Sequence, residues 1–279
     1  MGHDKLRKFA ENETFTCLLQ PSAQELLADG YFNLRDHAVK GRWNERFCNS
    51  NPIVLELGCG KGEYTIALAE RDPGRNYIGV DIKGARLWKG AKYATEHALP
   101  NVAFLRTRVE FITAFFAPGE VSEVWLTFSD PQYRSENSRL CSPLFLERYR
   151  SFLKPGGIVH LKTDSRFLHE YARAVCAAND LKVLSCTQDL YNQQVEVQPV
   201  VKEVQTFYEQ LFLEQGYPIT YLSFVIDHEG AYVSPSDPEE FDSKAWRAAE
   251  GPRLLFGHDS AETRRQKLHG ASSPDSCDL

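Results

Sequence analysis

The chain has 279 residues, 42% hydrophobic and 25% charged, the composition of an ordinary globular protein with room for one large α/β domain plus extensions or for two small domains. Its formal net charge of −6 argues against a uniformly basic nucleic-acid binder. However, eleven Asp/Glu against six Lys/Arg fall after residue 226, leaving 27 acids against 26 bases before it, and a nearly neutral body can carry a local basic patch.

Residues 1–50 read as an arm lying on the main domain. Lys5, Arg7 and Lys8 form one basic cluster and Lys40, Arg42 and Arg46 a second, with Phe15, Leu18, Leu19, Leu26, Leu27, Tyr31, Phe32 and Leu34 among turn formers between them. An irregular, partly packed segment is expected, its lysines either contacting RNA or merely solvated. The first fourteen residues are too polar for a signal peptide, and no unbroken apolar run is long enough to span a bilayer, so a cytoplasmic location and no membrane are expected. Seven scattered cysteines without a CxxC pair point away from a disulfide framework or a zinc site, and no metal is expected.

From Asn51 the pattern alternates. An apolar run, Pro52 to Leu57, meets a glycine-spaced turn, and a helical pattern runs to Arg71. A second strand, Asn76 to Asp81, precedes a helix from Gly84 to Ala98, and a third, Val102 to Arg106, precedes a short helix near Val109 to Phe116. A fourth, Val121 to Phe128, stops at Ser129-Asp130-Pro131. A helix from Pro143 to Leu153, a strand from Gly157 to Lys162 and a helix from Phe167 to Ala178 follow. Then come a strand from Leu181 to Cys186, a helix near Val200 to Gln215 and a strand from Ile219 to Ile226. Such alternation predicts an α/β fold with a doubly wound, mostly parallel seven-stranded sheet over residues 51–226. Beyond it the pattern dissolves, and residues 227–279 are expected to be a disordered acidic tail with a local patch around Trp246 to Phe256.

The turn itself, VLELGCGKGEY, reads strand, tight turn, helix, with Glu56 at the strand's carboxyl end and glycines where backbone must take positive φ or meet a ligand. By itself the pattern also suits a dinucleotide enzyme, a kinase loop or plain packing. Asp81, ending the next strand, stands where nucleotide folds hold ribose hydroxyls. Glu56 inside the turn leans toward S-adenosylmethionine (SAM), which has a ribose and a cationic amino acid but no pyrophosphate. The alternative is an ordinary βαβ crossover with an incidental Asp81.

The ordered set LELGCGKGEYT, GVDIKGARLWKGAK, NVAFLRTRVEF, EVWLTFSDPQ, FLKPGGIVHLKTDS and TFYEQ, together with GRWNERF before the first strand, resembles the tRNA (guanine-N7)-methyltransferase family in its bacterial single-chain form. That resemblance implies a Rossmann-like SAM-dependent methyltransferase fold, SAM as cofactor, tRNA as partner and a monomer or small homo-oligomer. It implies that Glu56 and the Gly58/Gly60 loop hold the methionine part of SAM, with Asp81 on the ribose and Ile82 near the adenine. Thr107 and Arg108 follow the third strand, in the adenine-contacting positions where the family has Asp or Asn and then Ala. Asp130 matches the catalytic aspartate of a Phe-Pro-Asp-Pro motif, with Ser129 replacing the first proline. Arg134 falls at a substrate-binding lysine, Asp164 at a Thr-Asp substrate position, and Thr206 and Glu209 at a Thr-x-x-Glu guanine-binding motif. RNA contact is expected from Lys5, Arg7, Lys8, Arg42, Arg134 and Arg139. The implied reaction is methyl transfer to guanine N7 in the tRNA variable loop. Its rivals are methylation of another RNA or a small heteroaromatic, and a degenerate SAM-binding, RNA-associated subunit.

Overall fold

A computed structural model describes residues 2–28, 33–235 and 241–250. Helix α1 (Gly2–Asn12), a two-residue strand β1 (Leu18–Leu19) and the short helices α2 (Ala23–Leu26) and α3 (Trp43–Phe47) precede the alternating core. The core begins β2 (Ile53–Leu57), α4 (Glu63–Arg71), β3 (Asn76–Asp81), α5 (Gly84–Glu96), β4 (Val102–Arg106). A 3-10 turn over Val109–Ala114 leads to β5 (Val121–Thr127). Then follow α6 (Pro143–Arg150), β6 (Leu153–Thr163), α7 (Arg166–Ala178), β7 (Val183–Thr187), α8 (Pro199–Glu203), α9 (Phe207–Glu214) and β8 (Thr220–Val225).

These strands form one sheet in the order β1-β4-β3-β2-β5-β6-β8-β7, with β8 antiparallel to β6 and β7 and the other pairs parallel. Every residue of β2 and β3 is buried, as parallel strands covered on both faces must be. The sheet has eight strands rather than seven. The addition is β1, whose Leu18 and Leu19 pair with Phe104 and Leu105; two residues are too few to show a strand period. The side chain of Phe104 lies under the glycine turn: a Cβ on Gly62 would come 2.5 Å from its ring, and one on Gly90 2.6 Å. Glycine at both positions lets the turn and α5 close over the ring.

The described residues before Asn51 are more regular and more firmly held than an irregular arm. Helix α1 packs on α5, where Asn12 Nδ2 donates to Gly84 O (2.9 Å) and Trp88 Nε1 to Glu11 Oε2 (2.6 Å). In α3, Trp43 is fully buried, stacks on Phe116 (5.4 Å, 11°) and donates from Nε1 to Phe115 O (2.9 Å). Tyr31 and Phe32 lie outside the described residues. The single helix expected near Val200 to Gln215 is two, α8 and α9. Thr206 caps α9 in a capping box, its Oγ1 accepting from Glu209 N (3.2 Å) and Glu209 Oε2 accepting from Thr206 N (3.4 Å).

Order does not stop at Ile226. Tyr232 is buried, Arg150 Nη1 donates to His228 O (3.0 Å), and Asn179 exchanges two bonds with the Val233 backbone (2.8 and 2.9 Å). Two compact units divide between Phe241 and Asp242. The second contains α10 (Ser243–Glu250); the rest of the Trp246 to Phe256 patch and the expected disorder of the remaining tail lie outside the described residues. Among the described residues no helix is long and apolar enough to cross a membrane.

Candidate active site

Strands β4, β3, β2, β5 and β6 are parallel, so their carboxyl ends share one rim of the sheet, where open α/β sheets take ligands. Glu56, Asp81, Thr107, Asp130 and Asp164 all stand at or just beyond these ends. Gly58 and Gly60 have φ of 79° and 58°, and a Cβ on either would meet nothing within 4 Å, so the turn presents bare backbone to open space. Asp81 ties two turns together: Oδ2 accepts from Gly60 N (3.0 Å) and Oδ1 from Lys83 N (2.7 Å). A carboxylate oxygen has room for a second donor, so both retain capacity for hydroxyls. Beside it Ile82 is 52% exposed, an uncovered apolar face.

Glu56 is buried. Its Oε2 accepts from Thr65 N (2.8 Å) and from Thr65 Oγ1, and its Oε1 accepts from Thr127 Oγ1. Three of about four acceptor sites are used, leaving one on Oε1. Burial raises its carboxyl to about 7 against the pull of those three hydrogen bonds, and Asp81 adds to the rise. Cys59, between the two glycines, is buried and its thiol is pushed well above the usual range by burial and then by Glu56 and Asp81, so it is inert rather than nucleophilic.

Thr107 is buried just past β4, while Arg108 is exposed and pairs with Glu110 (3.2 Å). Asp130 is exposed, in a turn whose Phe128 and Gln132 both have positive φ (51° and 48°) without being glycine. Each such residue costs about 1–3 kcal/mol, and such strain clusters at functional sites. Oδ1 of Asp130 accepts from Gln132 N (2.9 Å), and Phe128 N donates to Lys162 O (2.9 Å), joining this turn to the end of β6. Asp164 follows β6 directly, half-buried, and Ser165 after it caps α7 by accepting from Leu168 N (3.2 Å). Arg134 is exposed in the segment after Asp130.

Glu209, on α9, is buried, whereas Asp130 is exposed. The Glu209 side chain and that of Lys162 are both fully buried and pair at 2.7 Å, and Tyr191 Oη donates to the same Oε1 (2.6 Å). Lys162 also donates to Val201 O (2.7 Å) and Val204 O (2.8 Å). Burial draws the Glu209 carboxyl up and the Lys162 ammonium down, and their mutual attraction opposes both shifts. Lys162 was absent from the residues singled out in the sequence. Its signal is a lysine on β6, a strand covered on both faces, where an unpaired charge is not tolerated.

The anticipated RNA-binding cations divide. Arg7 pairs with Asp4 and Glu11 (2.8 and 2.6 Å), Lys8 with Asp4 (2.9 Å), and Arg42 with Glu45 (2.7 Å). Arg139 is only 5% exposed; it stacks over Phe167 and Tyr171 and donates to the Gln132 and Tyr133 carbonyls, bracing the Asp130 turn instead of facing phosphate.

A mostly parallel sheet with an open glycine turn, a rim of carboxylates and a buried turn glutamate defines the Rossmann-like SAM-dependent methyltransferases. Residues 50–222 match the family model described as "Putative methyltransferase". The tRNA (guanine-N(7)-)-methyltransferase of Christiangramia forsetii is 50% identical over 80% of this chain and 98% of its own length. That of Bacteroides thetaiotaomicron is 45% identical over 87% of this chain and 93% of its own. The chain belongs to the tRNA (guanine-N7)-methyltransferase family. Among solved structures, the 16S rRNA methyltransferase KamB shares the fold, with a TM-score of 0.51 and 17% identity over 67% of this chain and 93% of that one.

Proposed function

We propose that this protein transfers a methyl group from SAM to N7 of a guanine in tRNA, in the variable loop. The observation that carries the reading is the strained turn at Phe128–Gln132, which holds the exposed Asp130 on the same rim as the glycine turn and Asp81 in a chain of this family. The residues present fit the cofactor: open backbone at Gly58 and Gly60 and the free acceptor site of Glu56 suit its methionine part, Asp81 its ribose and Ile82 its adenine. Thr107, buried just past β4, and the backbone of Arg108, whose side chain pairs with Glu110, would complete the adenine contact. When bound, SAM supplies an activated methyl group.

Guanine N7 carries a free lone pair, so no residue has to remove a proton before attack, and catalysis is chiefly alignment. Asp130 and Asp164 accept from guanine N1–H and its amino group, donors that adenine does not offer in that pattern. Arg134 meets phosphate. Thr206 and Glu209 act on the substrate through the α8–α9 elbow that they and Lys162 hold. The test is borohydride-induced cleavage at N7-methylguanine in tRNA taken from a strain lacking this modification and treated with the purified protein and SAM. Cleavage in the variable loop is expected. Methyl incorporation without cleavage there would move the target to another base or another RNA.

A further inference from the structure

We propose that the ring of Phe207 is a stacking platform for an unpaired base of the RNA substrate, a role that rests on the substrate reading above. Phe207 is the first residue of α9 and is 52% exposed, whereas Glu209 and Phe212 on the same helix are buried. A lone exposed apolar side chain is ordinary. The way this one is held is not. Its N–H donates to Glu63 Oε2 (3.1 Å) at the start of α4, and the other oxygen of Glu63 pairs with Lys89 of α5 (3.1 Å). Behind it, Lys162 commits its three protons to Glu209 and to the Val201 and Val204 carbonyls, fixing the elbow between α8 and α9. Arg71 of α4 reaches Glu203 at the end of α8 (3.6 Å).

A buried ion pair contributes little net stability compared with apolar packing, so geometry is what this one supplies. The geometry places α9 along the rim. Its first residue adjoins the glycine turn, and Phe212 near its other end stacks on Phe128 (6.3 Å, 28°), two residues from Asp130. Lys61, inside the glycine turn, sets its ammonium 5.4 Å over the Phe207 ring, and Tyr208 meets the ring edge to face (5.8 Å, 70°), with half of the residue still exposed to a ligand. An aromatic face backed by a cation is the chemistry that receives a nucleobase and its phosphate, and RNA is read chiefly where its bases are unpaired and free to stack.

The experiment compares tRNA binding and methyl transfer for wild type, Phe207→Ala, Phe207→Leu and Phe207→Trp, with SAM affinity by calorimetry as the fold and cofactor control. Ala and Leu are expected to weaken tRNA binding and raise its KM about tenfold to a hundredfold, with SAM affinity unchanged, and Trp is expected to restore both. Leu separates ring stacking from simple apolar burial. Equal tRNA affinity in wild type and Phe207→Ala overturns the stacking role whichever way methylation reads, as does a Leu variant equal to wild type. A wild type that binds tRNA but yields no N7-methylguanine overturns the reaction and leaves the binding comparison to judge Phe207. A wild type that does not bind tRNA overturns both.

Discussion

Asp130 holds its own turn together through Gln132 N, and an asparagine oxygen can keep that bond. Asp130→Asn therefore removes charge and acceptor capacity while sparing the backbone. Methyl transfer should fall about a hundredfold, the loss typical of a misplaced reactant, with SAM affinity within about twofold. Full turnover in this variant would show that no carboxylate is needed there. Glu56 carries a different signature. Its carboxyl sits at about 7 in the folded protein against an ordinary 4.5. The folded chain thus keeps a proton that the unfolded chain releases, so stability falls as pH rises from about 4.5 through 7 and stays lower above. At 1.36 kcal/mol per pH unit the loss is on the order of 3 kcal/mol. Thermal unfolding across this range should show a flatter profile for Glu56→Gln than for wild type; identical profiles would mean that Glu56 ionises normally.

At the scale of elements, the Lys162–Glu209 pair joins β6 to α9. Glu209→Ala leaves a buried ammonium without its counter-ion and should cost about 3–5 kcal/mol in urea unfolding. Lys162→Met combined with Glu209→Leu should recover most of that stability but not tRNA methylation, because the Val201 and Val204 carbonyls lose their tether. Recovery of both would make the pair purely structural. The pair also shows what a sequence conveys and what it does not. Strands β2 to β5 and the glycine turn were legible because fully buried parallel strands leave apolar runs and sharp turns leave glycines. The capping box at Thr206 and Glu209 was written in plain spacing, yet an apolar helical pattern on both sides of it masked the break. Asp130 and Asp81 were readable from their place at strand ends. Neither the burial of Glu209 nor that of Arg139 was, since both depend on elements far away in sequence: β6 for the first, Phe167 and Tyr171 for the second. Arg139 looked like one of two cations in a polar segment, and only packing reveals it as a brace.

On the scale of the molecule, the first unit has no described helix or strand after β8, yet its packing continues beyond it. A chain cut after Ile226 loses buried Tyr232, the His228 and Gly230 carbonyls that Arg150 donates to, and both Val233 bonds of the buried Asn179. Burial of one aromatic and a buried amide oxygen left without its donor, while Asn179 Nδ2 keeps Val175 O (2.8 Å), together imply a loss of about 3–5 kcal/mol. A cut after Phe241, which packs edge-on against Tyr171 (5.4 Å), keeps them. Melting temperatures should therefore drop for the first truncation and hold for the second. An equal melting temperature in both would mean that residues 227–235 merely rest on the surface.

The pairing of Leu18 with Phe104 sets an order in time. A ribosome adding roughly 5–20 residues per second delivers Phe104 about 4 to 17 s after Leu18. Through that interval α1 has no α5 to lie on and β1 no β4 to pair with. Helix α1 carries its own provision for the wait: Asp4–Arg7, Asp4–Lys8 and Arg7–Glu11 are contacts one helical turn apart that need nothing made later. Helix α1 is thus solvated by its own charges until α5 and β4 have been made, and β1 then closes that edge of the sheet.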